Sequence, residues 1–288
     1  MLHNLYFVLA GVVFGLANVI PGVSGGTMAV VFGVYERLIN LIANIRKDLK
    51  KELPFVLCFG AGAAIGIFGF AKLMGWVLEH HPTEANAFFI GVILGSLPIL
   101  VSYTFKKKLP EKRKANWHFG VDNILPMLVT LGIMIAMWRV GDMSEAKEAA
   151  KASAKAAEAA GFDIGQSLLS VVYGVIAVTT MIIPGISGSM VMLMIGFYET
   201  IITAVYTLNL PILLPFGLGC VIGLFSVAKG IKWLLKRFPN PTYSAILGFV
   251  LGSVLFIFPG WSLMLAVWPI LMVIVGIALI TVFNVVSK

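Results

Sequence analysis

Apolar residues form long runs along most of this chain, and short polar segments separate the runs. The runs span residues 4–20, 25–43, 54–78, 86–105 and 121–140, and then 162–183, 188–207, 211–235, 243–258 and 260–286. Several approach or exceed the roughly 20 residues that a helix needs to cross a bilayer. The alternating pattern of a membrane β-barrel is absent. The sequence therefore predicts an all-α polytopic membrane protein.

A breaker-rich motif occurs twice. Residues 20–39 read IPGVSGGTMAVVFGVYERLI, and residues 183–202 read IPGISGSMVMLMIGFYETII, with nine of twenty positions identical. A second block, residues 60–96, matches residues 217–253 at 14 of 37 positions. Apolar composition alone does not produce shared Gly, Pro, Lys and Trp. The sequence therefore indicates an internal duplication.

The duplication divides the chain into a first membrane repeat at residues 1–140 and a second at residues 162–288. Between them, at residues 141–161, lies a segment whose central part is rich in Ala, Glu and Lys. This composition is typical of a helix with little apolar face, so we expect a water-exposed linker helix there.

Each copy of the motif places helix breakers inside the apolar sequence, at Pro21 and Gly22 and at Pro184 and Gly185. Residues 5–20 would be about 24 Å long as a helix, and the apolar residues 25–34 about 15 Å before the polar groups of residues 35–37, so both are short of a full span. We expect a re-entrant helical hairpin in each repeat, followed by about three transmembrane helices. Because each repeat then crosses the membrane an odd number of times, the second is expected to be inverted relative to the first.

Charge supports this topology. The chain is 59% hydrophobic and 12% charged, which leaves too few charges for the surface of a soluble domain. Basic clusters at residues 46–52, 106–114 and 232–237 fall on one predicted side, whereas residues 79–84 fall on the other. Positive loops stay in the cytoplasm, so both termini are expected there. This explains most of the +8 net charge without a nucleic-acid partner.

Small polar residues follow both breaks and would open the next half-helix. Free amide groups, the positive end of the helix dipole and nearby hydroxyls favour an anion such as phosphate, and glycine lets it approach the backbone. In inverted repeats the two openings would face each other near the midplane. The alternative is that the breaks only kink helices and that small residues only aid packing. The predicted phosphate-binding residues are Ser24, Gly25, Gly26, Thr27, Ser187, Gly188 and Ser189.

Charged residues near the motif are candidates for coupling. Glu36 and Glu199 are paired carboxylates that would act as a proton-coupled switch or as structural partners, for example of Arg37. Lys72 and Lys229 would supply positive charge to an anion or extend to the membrane interface. Arg37 has no basic counterpart in the second repeat, so any role for it is asymmetric.

The sequence contains no catalytic triad, no metal-ligand spacing and no nucleotide-binding loop. We therefore expect no enzyme activity, no cofactor and no metal, and a membrane enzyme acting on a lipid phosphate is disfavoured. A proton or sodium ion, or the membrane potential, would have to drive any work against a gradient. An ion-coupled transporter of a small soluble anion remains an alternative function.

The twin motifs PGVSGGTMA…GVYERLI and PGISGSMVM…GFYETII, with the duplicated GVILGSLP and GFVLGSVL, resemble the bacterial polyprenyl-phosphate translocase family. The resemblance covers about residues 3–286, except the linker. It implies a flippase in the inner membrane that returns undecaprenyl phosphate to the inner leaflet for reuse in envelope synthesis. The physical reading agrees with this substrate class: the facing half-helices would hold the phosphate while the lipid tail stays in the bilayer, and rocking of one repeat against the other would expose the phosphate slot to each leaflet in turn.

Overall fold

The computed structural model describes residues 2–19, 23–105, 120–141 and 164–286, and within these ranges it contains helices and no strand. A π-helical segment, Ile65–Gly69, lies in the first half. The helices of the first half are α1 (Leu2–Val19), α2 (Gly25–Val31), α3 (Tyr35–Ala43), α4 (Ile45–Ala64), α5 (Phe70–His80), α6 (Pro82–Phe105) and α7 (Val121–Gly141).

The second half repeats this order with two differences in the described residues: a single long helix replaces the segment that the π-helix interrupts, and a short extra helix precedes the last one. Its helices are α8 (Ile164–Ile182), α9 (Gly188–Met194), α10 (Tyr198–Tyr206), α11 (Leu210–Arg237), α12 (Pro239–Ile257), α13 (Trp261–Met264) and α14 (Val267–Val286).

Five helical segments in the described ranges are long and apolar enough to cross a membrane: α4 with its π-helical extension, α6, α7, α11 and α12. Two further apolar segments are helix pairs with a sharp bend, α2 with α3 and α9 with α10. The prediction of an all-α polytopic membrane protein is confirmed. The inversion of the second repeat and the re-entrant path of the hairpins stay predictions.

The bent pairs correct the sequence prediction, which treated residues 25–43 and 188–207 as single runs. Each run forms two helices, and the axes turn by 115° in the first half and 109° in the second. Gly33 and Gly196 lie at the two bends with φ angles of +63° and +74°. Glycine adopts this left-handed conformation without the steric cost that a side chain adds.

Hydrogen bonds show why the helices stop at these glycines. The amide of Gly33 donates to the carbonyl of Val30 (2.9 Å), and the amide of Val34 donates to that of Ala29 (2.9 Å). This pair of bonds is the Schellman motif, which satisfies the last carbonyls of a helix. The second half makes the same two bonds around Gly196. The turn is thus built identically in both repeats.

The two halves also pack their first long helices alike. A Cβ on Gly11 of α1 would lie 2.2 Å from the carbonyl oxygen of Phe59 in α4. A Cβ on Gly174 of α8 would lie 2.2 Å from the carbonyl oxygen of Phe216 in α11. These residues correspond at the offsets of 163 and 157 seen in the sequence. Glycine lets the backbones touch, and the register of contact is the same in both pairs.

The last helix of each half packs against the other half. Helix α7 lies against α12, α14 lies against α6, and α6 contacts α12. Glycines mediate these contacts too, since a Cβ on Gly91 would lie 2.2 Å from the carbonyl oxygen of Val273. Ile93, Val250 and Ile280 are almost completely buried in this layer. The two repeats are therefore interleaved rather than side by side.

Two of the basic clusters lie within helices rather than in the loops where the sequence prediction placed them. Residues 46–52 were treated as a loop, but they form the first turns of α4, because Asn44 precedes a continuous helix that starts at Ile45. Residues 232–237 likewise end α11. The cluster at residues 106–114 and the predicted linker at residues 144–160 lie outside the described residues.

Candidate functional site

Both predicted helix breaks occur where the motif places them. Helix α1 ends at Val19 and α2 begins at Gly25, while α8 ends at Ile182 and α9 begins at Gly188. Pro21 and Gly22 lie outside the described residues. In the second break, Pro184 and Gly185 form a turn that is buried.

Gly185 cannot be replaced without strain. Its φ angle is +89°, and a Cβ there would lie 2.3 Å from the carbonyl oxygen of Phe249 in α12. The second break is therefore held against the interleaved helices of the core.

The two serines that follow the breaks have nearly the same backbone conformation. Ser24 precedes α2 with φ −96° and ψ 124°, and Ser187 precedes α9 with φ −92° and ψ 118°. The hydroxyl of Ser24 accepts a bond from the amide of Thr27 (3.4 Å) and so caps α2. The hydroxyl of Ser187 instead lies 3.0 Å from that of Ser189.

A cavity of about 200 Å³ joins these two breaks. Its polar lining comes from both halves: Asn18, Ser24, Gly25, Ser187, Gly188 and Ser189. Ser24 is only 4% exposed, whereas Ser189 is exposed, so the cavity reaches from the interior to the surface. Five of the seven predicted phosphate-binding residues are thus brought together, from two motifs 163 residues apart.

Sequence reasoning did not single out Asn18. Its side-chain amide donates to the carbonyl of Phe14 (2.8 Å), and the amide carries a second N–H. The sequence feature that could have indicated Asn18 is its polar amide near the end of an otherwise apolar run, three residues before Pro21.

Most of the remaining lining is apolar and comes from the second half alone. Its members lie on α8, α9, α10 and α11, and they are Ala177, Met181, Met192, Tyr198, Ile201 and Phe216. Met181 is about half exposed, so the apolar wall also reaches the surface. The site thus combines hydroxyl and amide groups with a hydrophobic wall.

Two predicted residues do not line this cavity. A Cβ on Gly26 would lie 3.1 Å from the carbonyl oxygen of Met181, so Gly26 packs against the end of α8. Thr27 is 1% exposed, and its hydroxyl accepts a bond from the amide of Gly185 (2.7 Å). Tyr35 adds a bond from its hydroxyl to the carbonyl of Ile182 (3.2 Å). The first half thereby positions the break of the second.

The two glutamates have different surroundings. Both Glu36 and Glu199 are exposed. The hydroxyl of Tyr243 in α12 donates to the carboxylate of Glu36 in α3. The ring of Tyr243 stacks on Tyr103 of α6, with 5.1 Å between centroids. Glu36 therefore links the broken-helix region, which comprises α2, α3, α9 and α10, to the interleaved core of α6, α7, α12 and α14.

Arg37 is bonded to Glu52 rather than to Glu36. Its Nε lies 2.5 Å from the Glu52 carboxylate. Its guanidinium lies 4.6 Å from the ring centroid of Phe7 and 4.5 Å from that of Phe55. These contacts fasten α3 to α1 and α4, which is a structural arrangement.

Lys72 and Lys229 are exposed, on α5 and α11, and neither lines the cavity. The structure therefore does not bring the two lysines together with the serines.

Comparison with known proteins adds a second kind of evidence. A family profile described as undecaprenyl phosphate translocase-like matches residues 14–270. A protein of Vibrio cholerae serotype O1 named polyprenyl-phosphate transporter is 31% identical over 272 residues, covering 87% of this chain and 76% of its own. A Staphylococcus aureus protein of the same name is 27% identical over 279 residues, covering 93% and 90%. No solved structure gives a significant match.

Proposed function

The chain belongs to the undecaprenyl phosphate translocase-like family, and from that premise we propose that it moves undecaprenyl phosphate between the leaflets of the bacterial inner membrane. The two relatives named polyprenyl-phosphate transporter support a polyprenyl phosphate as the substrate. The recycling of the carrier lipid and the inner-membrane location belong to this proposal.

One observation carries the proposal: a single cavity gathers the serines of both breaks. The hydroxyls of Ser24, Ser187 and Ser189 and the amide of Asn18 are hydrogen-bond donors suited to phosphate oxygens. Bonds from such donors to a charged acceptor are stronger than bonds between neutral groups. The hydrophobic wall suits the lipid that carries this phosphate.

The proposed mechanism is alternating access, with the phosphate held where α2 and α9 begin. Each of these short helices lies between a break and a bend, so small changes at either end would reorient it. Irregular backbone of this kind is tolerated at membrane depth where it lines a cavity. Rearrangement of the breaks would then open the site to one leaflet at a time.

Proton coupling through Glu36 is part of the proposal. Protonation of this carboxylate removes the charge that accepts the bond from Tyr243, which would weaken the link between α3 and α12. A proton could thereby release the broken-helix region for movement. Glu199 is the corresponding candidate in the second half. We place both termini in the cytoplasm and assign the protein no catalytic step.

Lipid co-purification separates this function from the alternative. The protein is extracted in a mild detergent, and mass spectrometry measures bound lipid in the unaltered chain and in Ser187→Ala. We expect bound undecaprenyl phosphate in the first and a reduced amount in the second. Absence of polyprenyl phosphate together with saturable uptake of a soluble anion would favour the small-anion transporter. Release of phosphate from the lipid would indicate an enzyme.

A further inference from the structure

In the described residues of the first half, two aromatic rings lie at the positions that correspond to part of the cavity's apolar wall. The rings of Phe14 in α1 and Phe59 in α4 pack with 5.2 Å between centroids. Phe59 is 7% exposed and belongs to the main buried cluster. Two aromatic rings thus pack against each other beside the contact between α1 and α4.

At the corresponding positions, the second half has Ala177 and Phe216, at offsets of 163 and 157. Both line the cavity. Phe216 keeps an aromatic neighbour on another side, since its centroid lies 6.3 Å from that of Phe197. No ring opposes it at position 177, and the space that Phe14 fills in the first half is left open.

This correspondence is structural as well as numerical. A Cβ on Gly62 would lie 2.1 Å from the carbonyl oxygen of Val8, and one on Gly219 would lie 2.0 Å from that of Val171. The α1–α4 and α8–α11 pairs therefore share one register, as the contacts of Gly11 and Gly174 also indicate. Within this shared register the side chains differ, since alanine at position 177 corresponds to Phe14.

We propose that Ala177 is a specificity-determining residue, which opens an apolar subsite for the first isoprenyl unit of the lipid beside the phosphate. The inference rests on the proposed function and deepens it. The serines and Asn18 would hold the phosphate, and Ala177, Ile201 and Phe216 would contact the carbons attached to it. The site is then asymmetric, because the lipid chain leaves through the second half although the two serines occupy matched positions.

The size of the cavity limits how much of the lipid this subsite can enclose. Its volume of about 200 Å³ is below the roughly 300–1,000 Å³ of pockets that enclose a whole drug-sized ligand. It accommodates a phosphate and the adjoining carbons, while the rest of a long polyprenyl chain stays outside. Met181, which lines the cavity and is about half exposed, marks where the chain would leave.

The test compares three ligands on the purified full-length protein: undecaprenyl phosphate, dimethylallyl phosphate with one isoprenyl unit, and methyl phosphate. Direct binding is measured for the first, and competition against it gives the affinities of the other two. In the unaltered protein we expect dimethylallyl phosphate to bind at least tenfold more tightly than methyl phosphate, because its carbons are buried. Ala177→Phe should remove this difference, because the added ring fills the space that the isoprenyl carbons would occupy.

Val172→Phe is the matched control, since it adds a ring to the same helix at a position that is half exposed and outside the cavity. It should keep the tenfold preference. If Ala177→Phe fails to fold, Ala177→Val fills less of the space and should give a smaller loss of the preference.

The outcomes distinguish the subsite from the function it rests on. If the unaltered protein binds undecaprenyl phosphate but shows no preference for dimethylallyl phosphate, the subsite is refuted and the function stands. The same holds if the full preference survives in every Ala177 variant that folds. If the unaltered protein does not bind undecaprenyl phosphate at all, the proposed function fails as well.

Discussion

Ser24 and Ser187 occupy matched positions, yet their hydroxyls make different bonds. Ser24 caps its own helix through Thr27, whereas Ser187 makes no side-chain capping bond and lies beside Ser189. Replacing Ser24 therefore removes both a cap and a proposed phosphate donor. Replacing Ser187 removes a donor without the cap, which makes it the more informative change.

We predict that Ser187→Ala weakens headgroup binding about ten- to a hundredfold, because one hydrogen bond to a charged group contributes roughly 1.5–3 kcal/mol. Binding of undecaprenyl phosphate to the purified protein measures this. Ser102→Ala is the control, since its hydroxyl bonds the carbonyl of Ile99 within α6 (2.8 Å), away from the cavity. Equal affinity in Ser187→Ala and the unaltered protein would remove this serine from the site.

A second prediction concerns Glu36. Glu36→Gln keeps the shape of the side chain and can still accept a bond from Tyr243, but the amide does not titrate. If Glu36 couples protons, the variant should still bind the lipid and should lose the pH dependence of transport. Transport in vesicles at a series of pH values tests this.

Glu52→Gln is the comparison, because Glu52 bonds Arg37 instead, and it should keep the pH dependence. An unaltered pH profile in the double Gln variant of Glu36 and Glu199 would leave both as structural residues.

At the level of helices, the bend between α2 and α3 depends on the conformation of Gly33. An alanine there would be forced into the left-handed region at a cost of roughly 1–2 kcal/mol, although nothing lies within 4 Å of its Cβ. We therefore predict that Gly33→Ala lowers the thermal stability of the purified protein. Gly60→Ala is the control, because Gly60 also has open space but lies inside α4, where alanine is favoured. Equal melting temperatures for both variants would contradict the strain argument.

The sequence predicted the helices and the breaks well. Long apolar runs indicate helices that lie in lipid, and Pro-Gly pairs indicate where a helix ends. It did not predict the bends, because Gly33 and Gly196 lie in apolar runs where glycine usually indicates close packing. Nothing in the sequence distinguished Ala177 from other small apolar residues, because its position beside the cavity depends on how α8 packs against α11. The Tyr243–Glu36 bond joins residues 207 apart, so only the fold could reveal it.

For the whole molecule, the interleaving of α7 with α12 and of α14 with α6 bears on the proposed mechanism. Each repeat in sequence contributes helices to the same central layer. The broken-helix region of both repeats, with α1, α4, α8 and α11, packs mainly within itself. We expect relative movement to occur between these two groups of helices rather than between the two halves of the sequence.

Inversion of the repeats gives a direct prediction at this scale. Glu79 at the end of α5 and Lys236 at the end of α11 correspond at the offset of 157, and both are exposed. After Cys58 and Cys220 are replaced by serine, Glu79→Cys should react with a membrane-impermeant thiol reagent added outside cells. Lys236→Cys should react only after the membrane is opened. Labelling of both from the same side would refute the inversion.

A leaflet-accessibility assay on reconstituted vesicles tests whether this protein carries undecaprenyl phosphate across the bilayer, as we propose. Labelled undecaprenyl phosphate is incorporated, and a membrane-impermeant reagent reports the fraction in the outer leaflet over time. We predict that the unaltered protein exposes the inner-leaflet lipid to the reagent and that Ser187→Ala slows this at least tenfold. If the lipid is exposed only at the rate seen in protein-free vesicles, although correctly folded protein is present, the protein does not transport undecaprenyl phosphate.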